Sequence, residues 1–415
     1  MLMQRLWPAC DGRVWGRRVY CAGLALLLIL SEVFSSNIQG TLPGFSHISR
    51  IVLTGGAVVL LLVKCLLLTE YQKPWQMLAL AAALGYSAFA TYYGGDTWFF
   101  LAVLAGVSAF GVDLRAALKV YLAVAVAGLL LVQLLHLVTP LVPFNFYCRN
   151  WDFGYGHYNG YGARLLGVFV AWAWLRWPRL RWFDWAGLAG LLIYTFLRPI
   201  ARGAGGAMLV LLVLLALQKL LPKLFASKVW HAVALLVYPV LAGTSLWMGR
   251  AFDPTLPAST PVLSKIDRLF SGRLEIWHHV FWASPMPHPA EGDVAAWWHA
   301  DLPNVITLLG GFATDGDEHH AIDNTFLALI MNKGVLGAVL ITVLVLLLLW
   351  RLCRRGCTVE ILCVVSIFAY LLMENKPFLI SANPLFLLLP VLLTPRGAPL
   401  PVPLTFTVGQ DEPTA

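Results

Sequence analysis

The sequence predicts an all-α, polytopic integral membrane protein with about twelve transmembrane helices and one long external loop. Three observations carry that expectation. Hydrophobic residues make up 59% of the 415-residue chain and charged residues only 12%, half the share of about 25% usual in soluble domains; the mean hydropathy is +0.75. Apolar runs of about 16 to 22 residues recur along the chain, the length a helix needs to cross the bilayer core, and the alternating segments of about 10 residues that mark a membrane barrel are absent. Lys and Arg fall in short clusters between those runs. The net charge of +8 therefore reads as positive-inside bias and not as a nucleic-acid surface.

Taken in order, residues 1–18 form a basic cytoplasmic segment without the apolar core of a cleaved signal. The region 19–248 holds nine spans. These are about Val19–Ser36, Ile51–Leu68, Trp75–Tyr93, Trp98–Val112, Val120–Val138, Tyr161–Trp174, Asp184–Leu197, Met208–Leu221 and Trp230–Met248. Seventeen Trp suit the headgroup depth at their ends. A large external loop and re-entry helix cover 249–334, three further spans cover 335–394, and 395–415 is a cytoplasmic tail. The orientation rests on the short-loop clusters Arg5, Arg13, Arg17, Arg18, Arg115, Lys119, Arg176, Arg179, Arg181, Lys223, Lys228, Arg351, Arg354 and Arg355, all placed inside. Both termini are then cytoplasmic. Of the seven Cys only Cys148 falls outside, so no external intrachain disulfide is expected. Cys353 and Cys357 are too few ligands for a metal site. No internal repeat supports an inverted-repeat transporter.

The polar residues that could carry chemistry gather on the predicted external side. Arg149, His157 and Asn159 precede the sixth span. Arg198 and Arg202 sit four apart in YTFLRPIARGAGGAML, between two short apolar runs. A guanidinium is permanently charged and grips phosphate oxygens two at a time, and the glycines admit a ligand closely. The plainer reading is a hairpin whose Arg side chains reach for headgroups. Arg273 follows a Ser-Gly turn in which Ser271 could cap a helix. In EHHAIDN, His319 and Asp323 are four apart, as are His320 and Asn324, so each pair would share a helical face. A His oriented by a carboxylate is a general base in waiting; a solvated helix end explains the same residues. Glu374, at the outer end of the eleventh span, must be paired or hydrated there, with Lys376 as one partner.

These segments resemble the O-antigen ligase and polysaccharide polymerase superfamily, most of all its capsular and exopolysaccharide polymerases. FGYGHYNGYGARL resembles that family's Phe-Gly-x-x-His-x-Asn element. YTFLRPIARGAGGAML resembles its Arg-Gly hairpin, SKIDRLFSGRLEIW the start of its external loop, HHAIDNTFLALIMNKGVLGAVL the end of that loop, and MENKPFLISANPLFLLL its late Glu-containing turn. The likeness covers about residues 140 to 395. Two departures stand out: Arg-Pro-Ile-Ala-Arg replaces the commoner Ser-Arg-Gly, and Asp323-Asn324 replaces a His-Asn pair.

The resemblance implies a metal-independent, inverting membrane glycosyltransferase without a cofactor, in the bacterial cytoplasmic membrane. It would join undecaprenyl-pyrophosphate-linked repeat units on the outer face. Donor and acceptor glycans and membrane lipids are the implied partners, with a flippase and a chain-length regulator beside it and no nucleic acid. Arg202, Arg273 and Arg198 would hold the pyrophosphate. His320 or His319 would take the acceptor proton, with Asp323 orienting it or acting instead. Arg149, His157, Asn159, Asn324 and Glu374 would line the site. Two other readings compete. One is a ligase that moves finished glycan onto a lipid or cell-wall acceptor. The other is a flippase or transporter, which would place charges in mid-span.

Overall fold

The computed structural model describes residues 12–144, 146–147, 150–256, 258–279, 307–310 and 322–394. In chain order they form α1 (Gly12–Glu32), α2 (Ile38–Thr41), α3 (Pro43–Leu67), α4 (Pro74–Gly94), α5 (Thr97–Ser108), α6 (Leu114–Val138), β1 (Phe146–Tyr147), β2 (Asn150–Trp151), α7 (Tyr158–Arg176), α8 (Trp182–Leu197), α9 (Arg202–Leu220), α10 (Pro222–Phe225), α11 (Lys228–Ala251), α12 (Pro261–Leu269), α13 (Arg273–His279), α14 (Thr325–Arg354), α15 (Thr358–Leu371) and α16 (Pro390–Leu393). A 3-10 turn, Pro384–Leu388, leads into α16. Among the described residues the single departure from an all-α chain is the β1–β2 hairpin, with Phe146 opposite Trp151.

Among the described residues six helices are long and apolar enough to cross a membrane: α1, α3, α6, α9, α11 and α14. Shorter apolar helices are α5, α8, α15 and the segment Pro384–Leu393. Large side chains such as Trp15, Ile51, Val52, Leu130, Leu137, Val213, Leu236, Val339 and Val343 are exposed on the six. Each would forfeit about 1.5–3 kcal/mol of burial if it faced water, so their outer faces suit lipid.

Local signals set helix starts earlier than hydropathy does. α3 begins at Pro43, not near Ile51, because proline at the first helical position needs no N–H partner. α6 begins at Leu114, not near Val120, because the Asp113 side chain accepts the Arg115 N–H at 2.9 Å and caps it.

At the centre lies α7, buried on nearly every side from Asn159 to Trp174, as a helix packed all round must be. α6, α8 and α9 pack on it, α9 packs on α15, and α1 packs on α3 and α6. A second apolar cluster sits at the end where α11 finishes. There Met248 and Phe252 meet Leu263 of α12, Leu274 and Trp277 of α13, and Leu327 and Met331 of α14. That cluster fixes α13, and with it Arg273, against the bundle.

Candidate functional site

α8 stops at Leu197 and α9 starts at Arg202. Between them Ile200 has φ 55°, a conformation that a β-branched residue adopts only under constraint. Arg202 leaves the hairpin exposed and donates from Nη1 to Ser271 Oγ at 3.1 Å. Arg198, at the C-cap of α8, is exposed and does not share that contact.

Ser271 does not cap α13, contrary to the sequence expectation. Ser271 and Gly272 both have positive φ, 60° and 79°, which turns the hydroxyl towards Arg202. The cap comes from Asp267, whose Oδ1 accepts the Leu274 N–H at 2.9 Å.

Arg273 is the hub. Its Nη2 lies 3.0 Å from Glu374 Oε1 and 3.2 Å from Asp323 Oδ2. Thr325 Oγ1 donates to the Glu374 carbonyl at 2.7 Å and so holds the turn after α15 to the start of α14. Gly203, next to Arg202, lets the same turn come close: a Cβ there would lie 3.2 Å from Glu374 Cγ. Glu374 is buried, and burial with Asp323 beside it pushes its carboxyl up to about 7, against the pull of Lys376 and Arg273. Burial also raises Asp323, with Arg273 and Lys376 opposing. Two carboxylates beside one guanidinium and one ammonium group titrate as a coupled pair, each resisting the other's ionisation.

His157 is the N-cap of α7, its Nδ1 accepting the Asn159 N–H at 3.1 Å. Burial first, then Lys376 and Arg273, lower its pKa to about 4, so the ring is neutral at pH 7. Asn159 is buried in the first turn of α7. Asn324 precedes α14 in extended backbone and not on a helical face. Its amide donates to Ser245 Oγ and the Leu372 carbonyl, and its Oδ1 accepts the Leu327 N–H. Asn324 thereby fastens α14 to α11 and α15. Arg149, His319 and His320 lie outside the described residues.

Sequence reasoning passed over two features. Lys376 was weighed only as a partner of Glu374, yet its charge also bears on His157 and Asp323. Arg164 of α7 pairs with Glu32 of α1 at 3.3 Å, both buried, and stacks over Tyr155 at 4.2 Å. The signal for that pair was an ionisable residue inside each apolar run.

Chemically, the cluster joins an exposed guanidinium able to take an anion to a carboxylate pair able to take a proton, at one end of the bundle. No family model, no curated protein and no solved structure matches the chain.

Proposed function

We propose that the chain is a membrane glycosyltransferase that polymerises undecaprenyl-pyrophosphate-linked oligosaccharide repeats at the outer face of the cytoplasmic membrane. Twelve crossings from a cytoplasmic N-terminus, with α4, α7 and the four shorter apolar segments counted as spans beside the six long helices, would put Arg202, Arg273, Asp323 and Glu374 on that face. The observation that carries the reading is the join of Arg202, Ser271, Arg273, Glu374 and Asp323, drawn from four separate stretches of chain. Surface headgroup anchors would not need a buried Glu374 and a half-buried Asp323 behind them.

In the reaction, an acceptor sugar hydroxyl attacks the anomeric carbon of the donor. The bond from that carbon to the pyrophosphate oxygen breaks, and the lipid pyrophosphate leaves with the electron pair. A single displacement inverts the anomeric centre. Arg202 and Arg273 stabilise the charge that develops on the leaving group, which is where fixed cations act most strongly. The hydroxyl proton passes to the Asp323–Glu374 pair, where burial raises both carboxyls and brings Glu374 to about 7. His319 and His320 are the alternative bases from the adjoining stretch.

The test is the glycan of cells carrying Arg202→Ala or Arg273→Ala, with membrane insertion verified. The expected outcome is collapse of polymer to single lipid-linked repeats. Loss of the single repeats as well would point to export, polymer left unattached to its final acceptor would point to a ligase, and unchanged polymer would overturn the site.

A further inference from the structure

The turn after α15 faces two ways. Glu374 meets Arg273, while the next two residues, Asn375 and Lys376, wall a cavity of about 280 Å³. Asp96 and Trp98, where α5 begins, form a second wall, and Asn332 and Lys333 of α14 form a third. Arg202 and Arg273 do not line it. The cavity is smaller than the roughly 300–1,000 Å³ of pockets for drug-sized ligands, which suits a single ring.

Its chemistry is not that of a phosphate site, because Asp96 puts a carboxylate in the wall. Lys333 is 3% exposed, and its Nζ stands 3.5 Å from Asp96 Oδ2 with no hydrogen-bond acceptor among the described residues. The Asp96 ion pair and the Phe99 ring, 4.9 Å from Nζ, offset part of the cost of burying that charge and leave its N–H groups for a ligand hydroxyl. Two planar amides, a carboxylate and two ammonium groups offer donors and acceptors to neighbouring hydroxyls. The half-buried indole of Trp98 offers a flat apolar face to the C–H side of a pyranose. Lys376 belongs to this wall and also bears on Asp323 and Glu374.

We propose that this cavity seats one hexose or hexuronate ring of the acceptor glycan and so presents its hydroxyl beside the Asp323–Glu374 pair. The assignment of the ring to the acceptor rests on the glycosyltransferase reading above.

The experiment uses the full chain in detergent. Saturation-transfer NMR is recorded with methyl glycosides of glucose, galactose, N-acetylglucosamine and glucuronic acid, and phosphorus NMR line broadening with inorganic pyrophosphate. Wild type is compared with Trp98→Ala, Asn375→Ala and Arg202→Ala, each checked by thermal unfolding. Asn375, in a half-exposed turn, is the variant that keeps the test sound if Trp98→Ala unfolds. At least one glycoside is expected to give saturation transfer in wild type and Arg202→Ala, reduced fivefold or more in Trp98→Ala and Asn375→Ala. Pyrophosphate broadening is expected to survive in those two and to vanish in Arg202→Ala.

The cavity proposal is overturned if no glycoside gives a signal, if the signal is unchanged in both cavity variants, or if pyrophosphate displaces the sugar. Sugar binding at the cavity without any pyrophosphate binding would uphold the sugar site and remove the donor reading instead.

Discussion

Glu374 and Asp323 sit on the same guanidinium, and their proximity keeps either from ionising at its ordinary value. Glu374 moves from 4.5 to about 7. A base with a raised pKa is inactive while protonated, so turnover should rise as pH climbs through about 7 and level above it. In Glu374→Gln that limb should disappear, and the remaining rate should fall by about 10²–10⁴, the usual yield of a positioned base. A rate profile at saturating acceptor checks it; an unchanged limb in Glu374→Gln would move the base to Asp323 or to His319 and His320. Asp323→Asn should shift the limb to lower pH, because removing one negative charge eases ionisation of the other.

α14 breaks at Gly334, where φ 69° and ψ 176° lie in territory open essentially to glycine alone. The break frees backbone N–H groups at the start of the second half. Val335 and Leu336 donate theirs to the Thr307 and Leu308 carbonyls, at 3.1 and 3.0 Å, so the short segment 307–310 caps the second half. A Cβ at Gly334 would lie 2.2 Å from Gly310 N. Gly334→Ala should therefore cost about 1–3 kcal/mol in backbone strain, with the steric overlap added, and should lower the unfolding temperature in detergent. Gly243→Ala in α11 is the control, since a Cβ there meets nothing within 4 Å; it should be neutral or slightly stabilising. Equal effects at the two sites would show that the break carries no strain.

Across the whole bundle, alternation of helix direction puts the starts of α7, α9 and α14 at the same end as the finish of α1, α11 and α15. The proposed orientation makes that end external. With the native Cys removed, Ser259→Cys should react with an impermeant maleimide on intact cells. Lys119→Cys should react only after the membrane is opened. Both positions are exposed, so reactivity reads side and not burial. The opposite pattern would invert the topology, and reaction of both on intact cells would break the alternation between them.

Hydropathy and charge clustering act over a few turns of chain, and so they are legible along the sequence. They establish a helical membrane protein, the polar character of Arg202, Arg273, Asp323 and Glu374, and the placement of those residues beside the ends of apolar runs. They missed the early starts of α3 and α6, where a proline and an Asp cap outrank hydropathy. Ser271 does not cap α13 because its left-handed backbone and its bond to Arg202, 69 residues away, are not written in the local Ser-Gly-Arg pattern.

What Arg273 touches could not be read in the same way, since Glu374 lies 101 residues further on. Nor could the Lys333–Asp96 cavity or the Arg164–Glu32 pair, whose members sit in distant helices. Which charges meet is settled by how α7 is surrounded and by where α13 packs on α11 and α14. A one-dimensional pattern specifies the faces each helix must bury, but only the packed bundle determines which buried face lies opposite which, and with it the partner each ionised group obtains.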